Sequence, residues 1–246
     1  MLMGILIVCI ILFLGAVFYK QTVQEYKLNQ IEWSQRERIP ELLDEGTPFV
    51  VRSVPLCPVW NATDVGARAV FKDLATWVQA APPTAHMPWH RRMSLQYGKD
   101  AVLAPWLEET WQPHTGTLRS TLPFLFPQEI QAWVGGRGLY PLKAMWSVIF
   151  PTEGEVVVTL MSAKEDKYLP AQYFGKGPHE FTIADTPYVG KLKYLDVKLR
   201  PGVALLVPAH WKVAWSAAEE AERIPFVCIY SLHTPISKLA AALSPI

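Results

Sequence analysis

The chain has 246 residues, half of them apolar, with 10 Trp, 21 Pro and a net charge of +1. Low charge and abundant aromatic residues exclude a disordered chain, and the near-neutral balance, with no basic run interleaved with aromatics, removes the electrostatic case for nucleic acid. The 3 cysteines show no CxxC and no metal-ligand spacing, so neither a disulfide framework nor a zinc site is expected, which suits a reducing compartment.

Met1 to Tyr19 carries no charge, and Lys20 ends the run. As a helix it would rise about 28 Å, against a hydrocarbon core of about 30 Å, which predicts a transmembrane anchor over residues 1–19. No Lys or Arg precedes the run and Gly15-Ala16 is a poor cleavage site, so a retained anchor is expected over a signal peptide. The flank of Lys20, Lys27, Arg36 and Arg38 places the remainder on the cytosolic side of a single-pass membrane protein, with the lipid bilayer as partner through residues 1–19. Residues 20–38 read as a helical stalk, and residues 40–240 as one domain with a full core.

Within that domain, Pro40 at a first turn and Gly46 at a stop predict a short helix over 39–46. Thr47 to Arg52 reads as a strand. Val65, Ala69, Leu74, Trp77 and Val78 recur at helical spacing, predicting a helix over 63–81 that Pro82-Pro83 ends. Met93 to Tyr97 reads as a strand, and Ala104 to Trp111 and Pro127 to Val134 as short helices. Trp77, Trp106, Trp111 and Trp133 then fall on helices and face the core.

From Leu139 the pattern changes. Ala144 to Phe150 and Glu155 to Met161, separated by Pro151-Thr152-Glu153-Gly154, read as a hairpin. Tyr194 to Leu199, Ala204 to Pro208, Lys212 to Ser216 and Phe226 to Tyr230 read as further strands, with a turn at Arg200-Pro201-Gly202-Val203. Short strands at about ten-residue spacing indicate an antiparallel sandwich or barrel.

Val197 to Val213, VKLRPGVALLVPAHWKV, resembles the closing half of a cupin-like, JmjC-like jelly roll, in which a strand passes through Pro-Gly into an apolar strand and then Pro-x-x-Trp. Glu155 to Pro170, EVVVTLMSAKEDKYLP, is similar to the family's strand followed by a Lys-bearing turn. Gly46 to Arg52, GTPFVVR, is similar to its entry strand. The resemblance implies a mainly β fold with helical insertions: a double-stranded β-helix behind an N-terminal transmembrane helix. That combination also resembles cupin-like proteins of large DNA viruses of algae and protists.

Enzymes of this family hold Fe(II) with a His-x-Asp/Glu pair on an early strand and a distal His, leaving open positions for oxygen and 2-oxoglutarate. The resemblance implies the pair within Leu142 to Glu153, where there is no histidine, and the distal ligand at position 213, which is Val213. Other histidines give no substitute. His86 and His90 are four apart, but Pro88 breaks the helix that would align them. His210 reads as a rim histidine beside Trp211, while His114, His179 and His233 read as ordinary. Lys164, flanked by Glu165, Asp166 and Lys167, reads as a solvated turn, and Asn61-Ala62-Thr63 is a lone sequon. Gly135-Gly136-Arg137-Gly138 is a glycine-rich turn without the nucleotide-binding pattern that follows such glycines.

No catalytic, cofactor-binding or metal residue is therefore expected, and no cofactor. The expected function is a non-catalytic, membrane-anchored binding or scaffold protein of cupin-like fold with an unidentified protein or small-molecule partner. The alternative is an Fe(II)/2-oxoglutarate hydroxylase with a non-standard site. At the barrel mouth, Trp211 is expected to be buried against the Trp146 and Val158 strands.

Overall fold

The computed structural model describes residues 2–20, 26–57, 103–111, 114, 128–173, 175–219 and 224–242. The predicted helix over 63–81, the strand at 93–97, Asn61, Trp77, His86 and His90 lie outside them. In chain order the elements are α1 (Leu2–Lys20), β1 (Asn29–Glu32), a 3-10 turn Trp33–Arg38, α2 (Ile39–Asp44), β2 (Phe49–Arg52), α3 (Leu103–Thr110), β3 (Gln128–Val134) and β4 (Arg137–Pro141). Then follow β5 (Trp146–Glu153), β6 (Val156–Met161), β7 (Leu195–Leu199), β8 (Val203–Pro208), β9 (Lys212–Ala217), β10 (Phe226–Leu232) and α4 (Pro235–Ala242).

The strands form two sheets, one in the order β1-β2-β8-β5-β10-β3 and one in the order β4-β9-β6-β7. Consecutive strands mostly lie in opposite sheets, so the chain winds from sheet to sheet. Mainly β structure in two such sheets fits a jelly roll. The hairpin expected over 144–161 is corrected by this topology. β5 pairs with β8 and β10, whereas β6 pairs with β7 and β9. The Gly154 turn, at φ +72°, carries the chain across the sandwich rather than back along the same sheet. β5 is buried along six successive residues, as a strand covered on both faces must be. Such a strand has no polar alternation from which its partner could be read.

Alternation along the strands sorts the core. Trp146, Val148 and Phe150 enter a cluster with Leu107, Trp111, Ile39 and Leu42, on the outer face of the larger sheet beneath α2 and α3. Ile149, Leu205, Val207, Val227 and Ile229 enter a second cluster with Val156, Val158, Leu160, Val213 and Trp215, filling the space between the sheets. Leu139, Met161 and Ala214 turn to the outer face of the smaller sheet, where Leu169, Tyr173 and Leu192 of the connection between β6 and β7 cover them. The turn at Arg200-Pro201-Gly202 passes the chain from β7 in one sheet to β8 in the other. Gly202 sits at φ +85°, a conformation that L side chains adopt with strain.

The transmembrane part of the expected fold is overturned: no helix among the described residues is long and apolar enough to cross a membrane. The charge-free run does form a helix, α1, of 19 residues. That helix does not stand apart from the other elements. It lies against α4, where a Cβ at Gly15 would come 3.7 Å from the Ile236 side chain. The stalk differs too. Asn29–Glu32 adds a parallel strand to β2 in register Asn29 to Phe49, and Ile31 is buried. Pro127 to Val134, expected to be helical, holds β3, which pairs along its whole length with β10. Trp133 therefore lies on a strand, facing the space between the sheets.

Candidate functional site

β4 runs along β9, and Tyr140 stands opposite Val213. Beyond the strand end the clamp continues, with Leu142 N–H donating to Trp211 O at 2.8 Å and His210 N–H donating to Leu142 O at 3.0 Å. The resemblance puts the distal iron ligand on this wall, at Val213, and the His-x-Asp/Glu pair within Leu142 to Glu153, a stretch that starts here and continues along β5 in the other sheet. Val213 and Leu142 are buried in the inter-sheet cluster, with Tyr140 packed against it. Trp133 lies edge-on to Trp215 at 5.3 Å and tilted against Tyr140 at 6.3 Å. Position 213 is apolar, and the stretch 142–153 holds no histidine. Among the described residues, no group of three or more His, Cys, Asp or Glu could hold a metal ion. The described side chains on this wall do not fit a ferrous centre.

Trp211 is fully buried, as expected, in the cluster that holds Val158 of β6 and Ile149 of β5, and only the Trp146 side chain lies elsewhere. Trp146 belongs to the other cluster, because the alternation of β5 turns it to the opposite face of the sheet. Trp211 packs in the inter-sheet space, with Tyr26 edge-on at 5.5 Å. The Tyr26 hydroxyl donates to Lys193 O at 2.6 Å and accepts from Ser162 N–H at 3.1 Å, binding the N-terminal segment to the β6–β7 connection. Burial, with the nearby Glu165, pushes the Tyr26 hydroxyl up to about 12.

Beside that wall, still between the sheets, lies a cavity of about 160 Å³. Its apolar floor is Leu142, Ala144 and Ile229. Its other lining is polar. Ser147 on β5 and Ser231 on β10 share a register pair, and their hydroxyls are 3.1 Å apart. Gln131 on β3 donates from Nε2 to Glu129 Oε1 at 2.8 Å. His233, just past β10, holds Nε2 3.4 Å from Glu129 Oε2, and Lys238 of α4 reaches the same oxygen at 3.8 Å. Lys143 completes the rim. The hydrogen bond from His233, then that from Gln131 and the charge of Lys238, hold the Glu129 carboxyl down at about 2, against the upward pull of burial. Gln131 is 8% exposed and His233 5%. Gln131 Oε1 and His233 Nδ1 are buried with no hydrogen-bond partner.

None of these residues was singled out from the sequence except His233, which reads there as ordinary. The signal was present in the strand pattern. Ser231 and His233 continue the inward face that Val227 and Ile229 begin, so a polar pair follows an apolar one on the same side of one strand. Recognising it requires knowing which face is inward, and that depends on β3 and β4.

The other histidines lie elsewhere. His210 is at the rim as expected, at φ +70°. His114 sits edge-on to Trp33 at 5.7 Å, and burial followed by the charge of Arg36 lowers its pKa. His179, on the outer face of the smaller sheet, holds Nε2 3.1 Å from Asp196 Oδ1, with Tyr194 at its other nitrogen. Lys164 is exposed on a 3-10 turn, as expected, but its neighbours are not all solvated. Glu165 is buried, accepting from Lys193 N–H, and Asp166 pairs with the buried Lys212. Cys9, Cys57 and Cys228 form no disulfide.

No family model matches the chain, and no curated protein matches its sequence. Among solved structures, the chain is similar to Streptomyces albus HEPD, solved with its substrate 2-hydroxyethylphosphonate and Fe(II) bound. That similarity has 15% identity and a TM-score of 0.28, covering 48% of this chain and 21% of the other. The chain thus spans about a fifth of that enzyme's length.

Proposed function

We propose that this chain is a non-catalytic binding protein of cupin-like jelly-roll form whose ligand occupies the polar cavity at the barrel mouth. One observation carries the reading. Val213, at the expected distal ligand position, is packed against Tyr140 and Leu142, while the adjoining cavity keeps buried polar groups whose hydrogen bonding is incomplete. A buried acceptor without a partner costs about 1–3 kcal/mol. A fold that carries two buried polar atoms without partners beside an open volume gains stability when a guest supplies those partners. Apolar residues would close the same volume at lower cost if it had no occupant.

The test is a small-molecule fragment screen on the full chain, read by backbone amide shifts. Binding that moves the amides of Glu129, Gln131, Ser231 and His233 supports the reading. It is overturned if no fragment maps there, or if the purified protein holds stoichiometric iron and turns over 2-oxoglutarate.

A further inference from the structure

The reading above leaves the ligand's chemistry open. Resting on that reading, we infer that the cavity takes a small neutral polyhydroxylated molecule, a polyol or sugar. The inference follows from which atoms still need partners. In the neutral tautomer that directs Nε2–H at Glu129, the His233 ring carries its lone pair on Nδ1, an acceptor. Gln131 spends its Nε2 donor on Glu129, and its Oε1 is left over, also an acceptor. Two acceptors call for a guest that donates. The serine pair can serve in either role, since either hydroxyl can be the donor.

Charge removes the other donors. An ammonium group would donate to these acceptors but would face Lys143 and Lys238 on the same rim, and the one carboxylate present is already shared by Gln131, His233 and Lys238. An anion would suit the lysines but would face Glu129 and the two lone pairs. A hydroxyl group donates inward and accepts from the rim ammonium groups at once, and carries no charge to be repelled. Both orphan atoms are screened from bulk water. The volume is large enough for several waters, and so for a compact polyol. Ile229 and Leu142 offer the apolar floor on which its C–H face would rest.

The experiment titrates the full chain with myo-inositol and xylitol as neutral probes, glycerate as the anionic probe and 2-amino-1,3-propanediol as the cationic one, following amide shifts. The expected result is that a neutral probe binds at the mouth at least tenfold more tightly than either charged one. Gln131→Leu should weaken that binding at least tenfold while leaving the melting temperature unchanged or raised. Lys143→Met, at the rim, serves if the buried variant does not fold, and should weaken it severalfold. Tighter binding of either charged probe overturns the inference. So does failure of both neutral probes while fragments of another class map to the cavity, and in that case the binding reading stands. If no molecule of any charge maps there, the reading itself fails and the inference with it.

Discussion

Tyr140 and Val213 stand opposite one another across the β4–β9 ladder, and both contribute to the packing between the sheets. A position that would take an imidazole in a metal-binding jelly roll is thereby built into the apolar core. Val213→His should bury an imidazole among Leu160, Trp211 and Trp215 without partners, and should lower stability by about 1–3 kcal/mol. No iron should accompany the purified variant. Urea unfolding and metal analysis check the two halves of this prediction separately.

Trp211 is fully buried and packs edge-on against Tyr26. Trp211→Ala should cost about 3–5 kcal/mol, as aromatic truncations in cores do. An unchanged urea midpoint would mean that the inter-sheet core does not depend on this ring.

The strands from β5 onward were legible because each is a short apolar run between turn residues, and the Pro201-Gly202 crossing was legible because its turn chemistry is specific. Their partners were not. The buried run of β5 lacks the alternation that would show which neighbour it faces, so a Gly154 turn reads as a hairpin when it is a crossing. β3 was misread because QEIQAWV mixes polar and apolar residues without a clear period. Its pairing with β10 is a contact between residues about a hundred positions apart. The glycines at 135–138 looked like an isolated turn. A Cβ at Gly138 would lie 2.6 Å from Gly175 Cα, and no local pattern carries that approach. The cavity was invisible for the same reason, since Glu129, Gln131, Ser147 and His233 meet only after the sheets form.

Lys212 has a side chain 6% exposed and pairs with the half-exposed Asp166. Its amine also lies 5.8 Å from the centre of the Tyr173 ring. Removing the acid alone strands a buried cation, whereas replacing the lysine with an apolar chain of similar length leaves the acid in water. Asp166→Asn should therefore destabilise by about 1–3 kcal/mol, while Lys212→Met should stay within about 1 kcal/mol of the parent. Paired denaturation curves decide it, and equal losses would contradict the burial of the amine.

Glu129 sits at about 2 against an ordinary value of 4.5, principally because His233 hydrogen-bonds its charged form. A carboxyl depressed in the folded state contributes stability that is complete above the unfolded value. That contribution is lost as pH falls through the folded one. Glu129→Gln should flatten the acid limb of stability between about pH 4.5 and 2. Asp185, also held at about 2 by Lys176 and Thr182, remains in both proteins and cancels in the difference. A difference curve without slope in that window would mean that the Glu129–His233 contact is absent in solution.

The proposed function puts a small ligand, and no metal centre, at the cavity beside Tyr140. Calorimetric titration of Fe(II) into the anaerobic full-length protein, with 2-oxoglutarate present, tests it most directly. The packing of Tyr140, Leu142 and Val213 predicts no saturable heat and no consumption of 2-oxoglutarate. Stoichiometric, saturable iron binding with turnover of 2-oxoglutarate would contradict it.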